Sequence, residues 1–267
     1  MLEIKNLNIE FHDRQVPETV VYGLNLSVGQ GEILGLVGES GSGKTMTALA
    51  VAGLLRRHDM EKTGEIIYDG FNLLECSRDE LRSIQGNEIA MVFQEPMTCL
   101  NPVLRIGWQV EEALRIHTQL SKEERKRQAL EVLDKVELSD PERVYRAFPH
   151  ELSGGMRQRV MIAAAIICGP RLLIADEPTT ALDVTIQAQI VKLLLRINKE
   201  SGMAILFISH DLSLVRQLCS RVAVMQGGYL VEQGLVESVF ENPQEEYTWE
   251  LIRAIPRVER RQVGDKT

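Results

Sequence analysis

The segment that most constrains the fold of this chain is Gly38-Glu-Ser-Gly-Ser-Gly43-Lys44-Thr45. It matches G-x-x-x-x-G-K-[ST] in full, directly after an apolar strand pattern (Glu32 to Val37) and directly before a helical one (Met46 to Leu55). That order has a chemical reason. Glycines let successive backbone N–H groups turn inward around an anion, and the start of the next helix adds partial positive charge. Gly38, Glu39, Ser40, Gly41, Ser42 and Gly43 therefore form a candidate phosphate cradle. Lys44 is placed to reach β- and γ-phosphates, and the Thr45 hydroxyl to ligate Mg2+. A strand, loop and helix in this order predict an α/β core that binds a nucleoside triphosphate.

Leu172-Leu-Ile-Ala-Asp176-Glu177 supplies the second half of such a site. Its apolar run reads as a buried strand with Asp176 at the carboxyl end, where parallel sheets bind ligands. Asp176 is positioned to hold the Mg2+, directly or through water. Glu177, one residue on, is a candidate general base for the attacking water.

Composition narrows the class further. Thirty Lys and Arg against 38 Asp and Glu leave a formal charge of −8, which argues against broad nucleic-acid binding. The longest apolar run, Val160 to Cys168, falls far short of the roughly 20 residues a membrane span needs. MLEIKNLNIEF at the N-terminus lacks the basic start and continuous apolar stretch of a signal peptide. Cys76, Cys99, Cys168 and Cys219 are scattered, without a CxxC pair, and read as reduced, core-filling thiols of a cytoplasmic protein.

Along the chain, Leu2 to Phe11 alternates like a strand with one slip, and Val20 to Val28 is a second such segment. Glu65 to Tyr68, Ile89 to Phe93, Leu172 to Ala175, Ala204 to Ile208 and Arg221 to Met225 are further short apolar runs between helical patterns. They predict a mostly parallel sheet with an antiparallel β part at the N-terminus. Ser77-Arg-Asp-Glu80 and Ser121-Lys-Glu-Glu124 are capping boxes, each opening a helix; Gly86 is placed to end the first. The expected organisation is a core of residues 1–95 and 152–240, a helical insertion at 96–151, a C-terminal extension at 241–256 and a polar tail at 257–267.

Leu152-Ser153-Gly154-Gly155-Met156-Arg157-Gln158-Arg159 closely resembles the signature motif of ATP-binding-cassette (ABC) ATPases. Other elements follow in that family's order. Gln94 resembles the Q-loop glutamine, Ala181-Leu182-Asp183 the D-loop, and His210 the switch histidine. Phe11 stands where the family places an aromatic that stacks on adenine. The resemblance covers residues 1 to 256 and implies an ATPase using ATP and Mg2+. It assigns catalytic roles to Glu177, His210, Gln94 and Lys44, and metal contacts to Thr45, Gln94 and Asp176. Nucleotide contacts fall to Phe11, the loop from Gly38 to Thr45, Thr47, Ser153, Gly154, Gly155, Gln158 and Asp183. The signature would complete the site of a second ATPase subunit, so that ATP draws two cassettes together.

Phe93-Gln-Glu-Pro-Met-Thr-Cys-Leu-Asn-Pro102, Pro149-His150-Glu151, and Asn242-Pro243, Tyr247-Thr248 and Ala254-Ile255-Pro256 are similar to the peptide/nickel importer branch. That likeness implies docking on the cytoplasmic face of the cell membrane, against two transmembrane permease subunits fed by an extracytoplasmic solute-binding protein. The second cassette would be the same or a related chain, and the cargo a di- or oligopeptide or a nickel or metal chelate. Larger peptide-uptake members carry a cysteine-rich C-terminal region associated with an iron–sulfur cluster; no cysteine follows Cys219, so no cluster is expected here. Cys99 stands where a serine is common in the branch. The rival expectation is an ABC-type ATPase acting on nucleic acid or the ribosome. Against it stand the single cassette, the absence of sustained heptads or a Cys/His module, and the charge of −8. The residue types needed for catalysis are all present, which opposes a decayed, purely binding module.

Overall fold

The computed structural model describes residues 1–12, 17–55, 59–94, 99–180 and 182–255. Pro96, Ala181, Pro256 and the polar tail lie outside the described residues.

Two sheets form the frame. β1 (Leu2–Phe11), β2 (Glu18–Val28), β4 (Met60–Tyr68) and β5 (Phe71–Asn72) make an antiparallel sheet in the order β2-β1-β4-β5. The slip in the N-terminal alternation is a bulge. Asn6 takes a left-handed φ of 48°, and the register of β1 against β2 shifts between Ile4 and Leu7. One extra residue returns Leu7 and Ile9 to the buried face.

The second sheet contains β3 (Ile33–Val37), β6 (Ile89–Val92), β7 (Leu172–Asp176), β8 (Ala204–Ile208), β9 (Arg221–Gln226) and β10 (Tyr229–Leu235). Its order is β10-β9-β3-β8-β7-β6, parallel from β9 to β6. β3, β7 and β8 are buried along their whole length, which is why they read as unbroken apolar runs. Alternate residues serve different cores. Leu34, Leu36, Leu172, Ile174, Leu206 and Ile208 face the antiparallel sheet and α1 (Lys44–Val51). Ile33, Val37, Leu173, Ala175, Ile205 and Phe207 face the helices on the other side.

α2 (Arg78–Ile84) packs Leu81 and Ile84 on the antiparallel-sheet side; Ser77 and Glu80 cap it reciprocally as expected, and Gly86, at φ 77°, follows its end. On the other side come α3 (Ile106–Val110), α4 (Glu112–His117), α5 (Lys122–Lys135) and α6 (Pro141–Arg146). Ser121 and Glu124 form the second predicted box, at the start of α5. Buried Glu111 ties this layer together, accepting from the Tyr145 hydroxyl and from Arg115 Nη2 at 3.1 Å. A 3₁₀ turn, Pro149–Glu151, leads into α7 (Gly154–Ile166), and α8 (Val184–Ser201) and α9 (Leu212–Leu218) complete the packing face. α10 (Val236–Glu241) and α11 (Glu246–Arg253) close the described chain. Among the described residues no helix is long and apolar enough to cross a membrane.

Three sequence expectations are corrected. The first helix ends at Val51 rather than Leu55, because Gly53 takes a left-handed φ of 68° after the Ala52 cap. β10 has no counterpart among the predicted strands; the Gly227-Gly228 turn that folds it antiparallel onto β9 is its one local signal. Cys219 is buried and fills the core, but Cys99 is exposed and does not.

Candidate functional site

The strand order brings distant residues to one edge. β3, β8, β7 and β6 are neighbours and parallel, so the residues after each strand meet at a common carboxyl edge. Gly38 follows β3, His210 follows β8, Asp176 ends β7 and Gln94 follows β6.

The loop between β3 and α1 can be built only with its glycines. Gly38 has a φ of 147°, and a Cβ there would lie 2.1 Å from the Met225 carbonyl oxygen. Gly43 has a φ of 97°, and its Cβ would lie 2.8 Å from the Val20 carbonyl oxygen. Lys44 is buried, and its ammonium donates to the carbonyls of Gly38 (2.8 Å) and Glu39 (2.7 Å) and to Ser42 Oγ (3.2 Å). Burial pulls its pKa below 10.5, against the opposing pull of Glu177, Asp176 and Glu39. The cation thus lies across a ring of oxygens that a phosphate's oxygens can replace.

Asp176 is buried and its pKa is raised from 3.8, first by burial and then by neighbouring Glu177; Thr45 and Lys44 act in the opposite direction. Thr45 Oγ1 donates to Asp176 Oδ1 at 3.3 Å. Glu177 adopts a left-handed φ of 45°, unusual for a non-glycine residue, and its N–H donates to the Ile208 carbonyl at 2.9 Å. Its Oε2 accepts from Gln94 Nε2 (3.0 Å) and Thr180 Oγ1 (2.9 Å) and lies 3.2 Å from His210 Nδ1. Residues 94, 177 and 210 are therefore gathered on one carboxylate oxygen. Thr180 is an addition to the predicted set; its only sequence signal is its position three residues past Glu177.

The remaining predicted residues are distributed differently. Thr47 is buried within α1 and donates to the Gly43 carbonyl at 3.0 Å, so its hydroxyl braces the loop from beneath. Phe11 is half-buried at the end of β1, paired with Glu18 and Met60. Ser153 and Gly154 are exposed at the start of α7, where the Ser153 side chain accepts from the Met156 N–H at 3.3 Å. A Cβ on Gly154 would meet Leu182 at 3.6 Å, and one on Gly155 would meet Ile186 at 2.9 Å. The signature thus lies against the start of α8, which Asp183 caps through the Ile186 N–H at 3.0 Å. Gln158 lies a turn deeper, buried, and its amide nitrogen has no hydrogen-bond partner among the described residues. Its side chain is not presented together with Ser153 and Gly154.

A phosphate loop followed by an acidic pair at a parallel-sheet edge, with a second helix start exposed elsewhere, defines a P-loop nucleotide hydrolase. The profile described as ABC transporter matches residues 21–180. A probable peptide ABC transporter ATP-binding protein of Sinorhizobium fredii is 48% identical over 96% of this chain and 77% of its own. The oligopeptide transport ATP-binding protein OppD of Bacillus subtilis is 46% identical over 97% of this chain and 73% of its own. The ATP-binding cassette MJ0796, in a dimeric post-hydrolysis state with ADP and Pi, superposes with a TM-score of 0.79 at 30% identity, over 88% of this chain and 99% of that one. The chain belongs to the ABC transporter ATP-binding family. It is an ATPase of the transport type, not the nucleic-acid or ribosome-acting alternative.

Proposed function

We propose that this chain is the ATP-hydrolysing subunit of an importer for di- or oligopeptides, held peripherally at the cytoplasmic face of the membrane. Likeness to peptide and dipeptide transport subunits at 44–48% identity over nearly the whole chain carries the reading. The permeases would be two transmembrane subunits, the cargo delivered by an extracytoplasmic binding protein, and the second cassette the same or a related chain. Nickel or metal chelates are the alternative cargo within the same branch. The helices between residues 96 and 151 would carry the permease contact. Val103, 75% exposed between buried Leu100 and Ile106, supports an apolar docking point there.

In the hydrolytic step, Glu177 takes a proton from water as the water oxygen attacks the γ-phosphorus; the bond to the bridging oxygen breaks and ADP leaves. Three groups around Glu177 Oε2 fix the direction of that base: Gln94, Thr180 and His210. Lys44 exchanges its loop carbonyls for phosphate oxygens. Phe11 stacks on the base. Thr45 Oγ1, buried Asp176 and the Gln94 side-chain oxygen would be the protein groups that hold Mg2+, which prefers such oxygen donors. When bound, it neutralises phosphate charge. Ser153, Gly154, Gly155 and Asp183 face a partner cassette and close over its γ-phosphate, so ATP joins the two and ADP releases them.

The test is uptake of labelled dipeptide, oligopeptide and nickel in cells with and without the gene, alongside affinity isolation of the tagged chain from solubilised membranes. Loss of peptide uptake with two permeases recovered supports the reading. Loss of nickel uptake alone moves the cargo to metal. Intact uptake of all three, with no permease recovered, overturns it.

A further inference from the structure

We propose that Tyr247 is a positioning residue for the phosphate loop, its phenolic oxygen holding the Glu39 peptide and thereby the shape the loop takes before nucleotide arrives. Tyr247 lies on α11, 208 residues from Glu39 in sequence, and accepts the Glu39 N–H at 2.9 Å. Glu39 is exposed, yet both its backbone polar groups are held: the N–H by Tyr247 and the carbonyl by Lys44 Nζ at 2.7 Å.

The Lys44 contact is one that phosphate must displace, whereas the Tyr247 contact leaves the ammonium free and commits the Glu39 N–H, nominally one of the cradle's donors, to the shape of the loop, so that it can persist throughout the cycle. The loop needs such an outside hold. Gly38, Gly41 and Gly43 all have positive φ, and glycine-rich backbone has the most freedom to lose on ordering.

The hold is itself anchored. Both carboxylate oxygens of Glu232, on β10, accept backbone N–H groups just before α11: Gln244 at 2.9 Å and Glu245 at 3.2 Å. Leu251, Ile252 and Ile255 pack on the main core from the other end of the helix. Tyr247 is buried, so its oxygen has little room to wander. A continuous path therefore runs from β10 through Glu232 and α11 to Glu39. This gives the Asn242-Pro243…Tyr247 segment a physical task at the nucleotide site. The inference rests on the ATPase chemistry alone and is independent of cargo.

The experiment compares wild type, Tyr247→Phe, Glu232→Gln and Thr248→Val as full chains, using a fluorescent ATP analogue with Mg2+, steady-state ATPase and backbone hydrogen exchange. Tyr247→Phe keeps the ring and removes only the hydroxyl, and with it the acceptor for the Glu39 N–H. Its expected result is about 3–10-fold weaker analogue binding and an equal rise in KM for ATP, with kcat within about twofold. The Glu39 amide should exchange faster without nucleotide and regain protection with it. Glu232→Gln should move KM the same way by a smaller factor. Thr248→Val removes a neighbouring buried hydroxyl that has no hydrogen-bond partner among the described residues and should leave binding and turnover as in wild type. Unchanged KM and unchanged Glu39 exchange in Tyr247→Phe overturn the proposal, as does a loss confined to kcat. If Tyr247→Phe unfolds too readily to assay, Glu232→Gln decides: raised KM supports the proposal, and wild-type KM overturns it.

Discussion

The side-chain amide of Gln94, two residues past β6, donates to Glu177 Oε2 at 3.0 Å, from the next strand of the sheet. Gln94 also opens the segment leading to the helices between residues 106 and 146. A single hydrogen bond thus joins the candidate base to the part of the chain proposed to meet the permeases. Replacing the donor with a like charge is the sharpest probe of it. In Gln94→Glu, two carboxylates would share that contact, raising the pKa of one and turning Glu177 from its position. Turnover should fall about 10-fold or more below that of Gln94→Ala, which only leaves a space. Equal rates for the two variants in a steady-state ATPase assay would show that the bond does not position Glu177.

Glu177→Gln separates binding from chemistry. Glutamine keeps the size and an oxygen able to accept from Gln94 and Thr180, but cannot take a proton from water. Turnover should fall by about 10²–10⁴-fold while ATP affinity holds, leaving an ATP-bound dimer resolvable by gel filtration. Retained hydrolysis in single-turnover assays would remove Glu177 from the role of base.

Asp176 gives a pH signature. Its folded pKa is raised above 3.8 chiefly by burial. A carboxyl group with a raised folded pKa favours the native state below its unfolded pKa, and that contribution is lost as pH rises through the folded value. Stability of the nucleotide-free chain should accordingly drop upward from about pH 4 by this contribution. Asp176→Asn should flatten that part of the curve and raise the thermal midpoint at about pH 7, while weakening Mg2+-dependent ATP binding. A lower midpoint at neutral pH in the Asn variant would mean that the ionised carboxylate stabilises the empty fold.

Much of this architecture can be read from the chain because its strongest signals are local. The phosphate loop needs Gly at fixed positions for steric reasons, and the capping boxes at Ser77 and Ser121 declare helix starts within a few residues. The buried strands β3, β7 and β8 betray themselves by unbroken apolar runs. What the sequence leaves hidden depends on contacts between segments far apart. Tyr247 acquires its meaning only when α11 brings it to Glu39, 208 residues away, whereas Thr180 is a local neighbour of Glu177 whose part shows only once the turn after β7 aims its hydroxyl at that carboxylate. β10 escapes sequence patterning because an edge strand has one paired side and mixes Glu232 and Gln233 into its pattern. Gln158 has a signature residue's place in sequence, yet helical periodicity turns it inward.

The signature can be tested through the packing behind it. A methyl group at position 155 would lie 2.9 Å from Ile186 Cγ2, closer than Cβ atoms come in practice, but the obstacle is a side chain and can be removed. Gly155→Ala should therefore push the start of α7 away from α8 and displace Ser153 and Gly154. Since those two residues are exposed on the single chain and the Lys44 site is separate, ATP binding by the monomer should stay near wild type. ATP-dependent dimerisation of the Glu177→Gln background should weaken about 10-fold or more. Adding Ile186→Ala opens the space and should restore much of the loss, giving a favourable coupling energy of about 0.5–3 kcal/mol in a double-mutant cycle. Strict additivity in that cycle would show that the Gly155 defect does not arise from the clash with Ile186. Normal dimerisation of Gly155→Ala alone would show that the seam between α7 and α8 does not set the position of the signature.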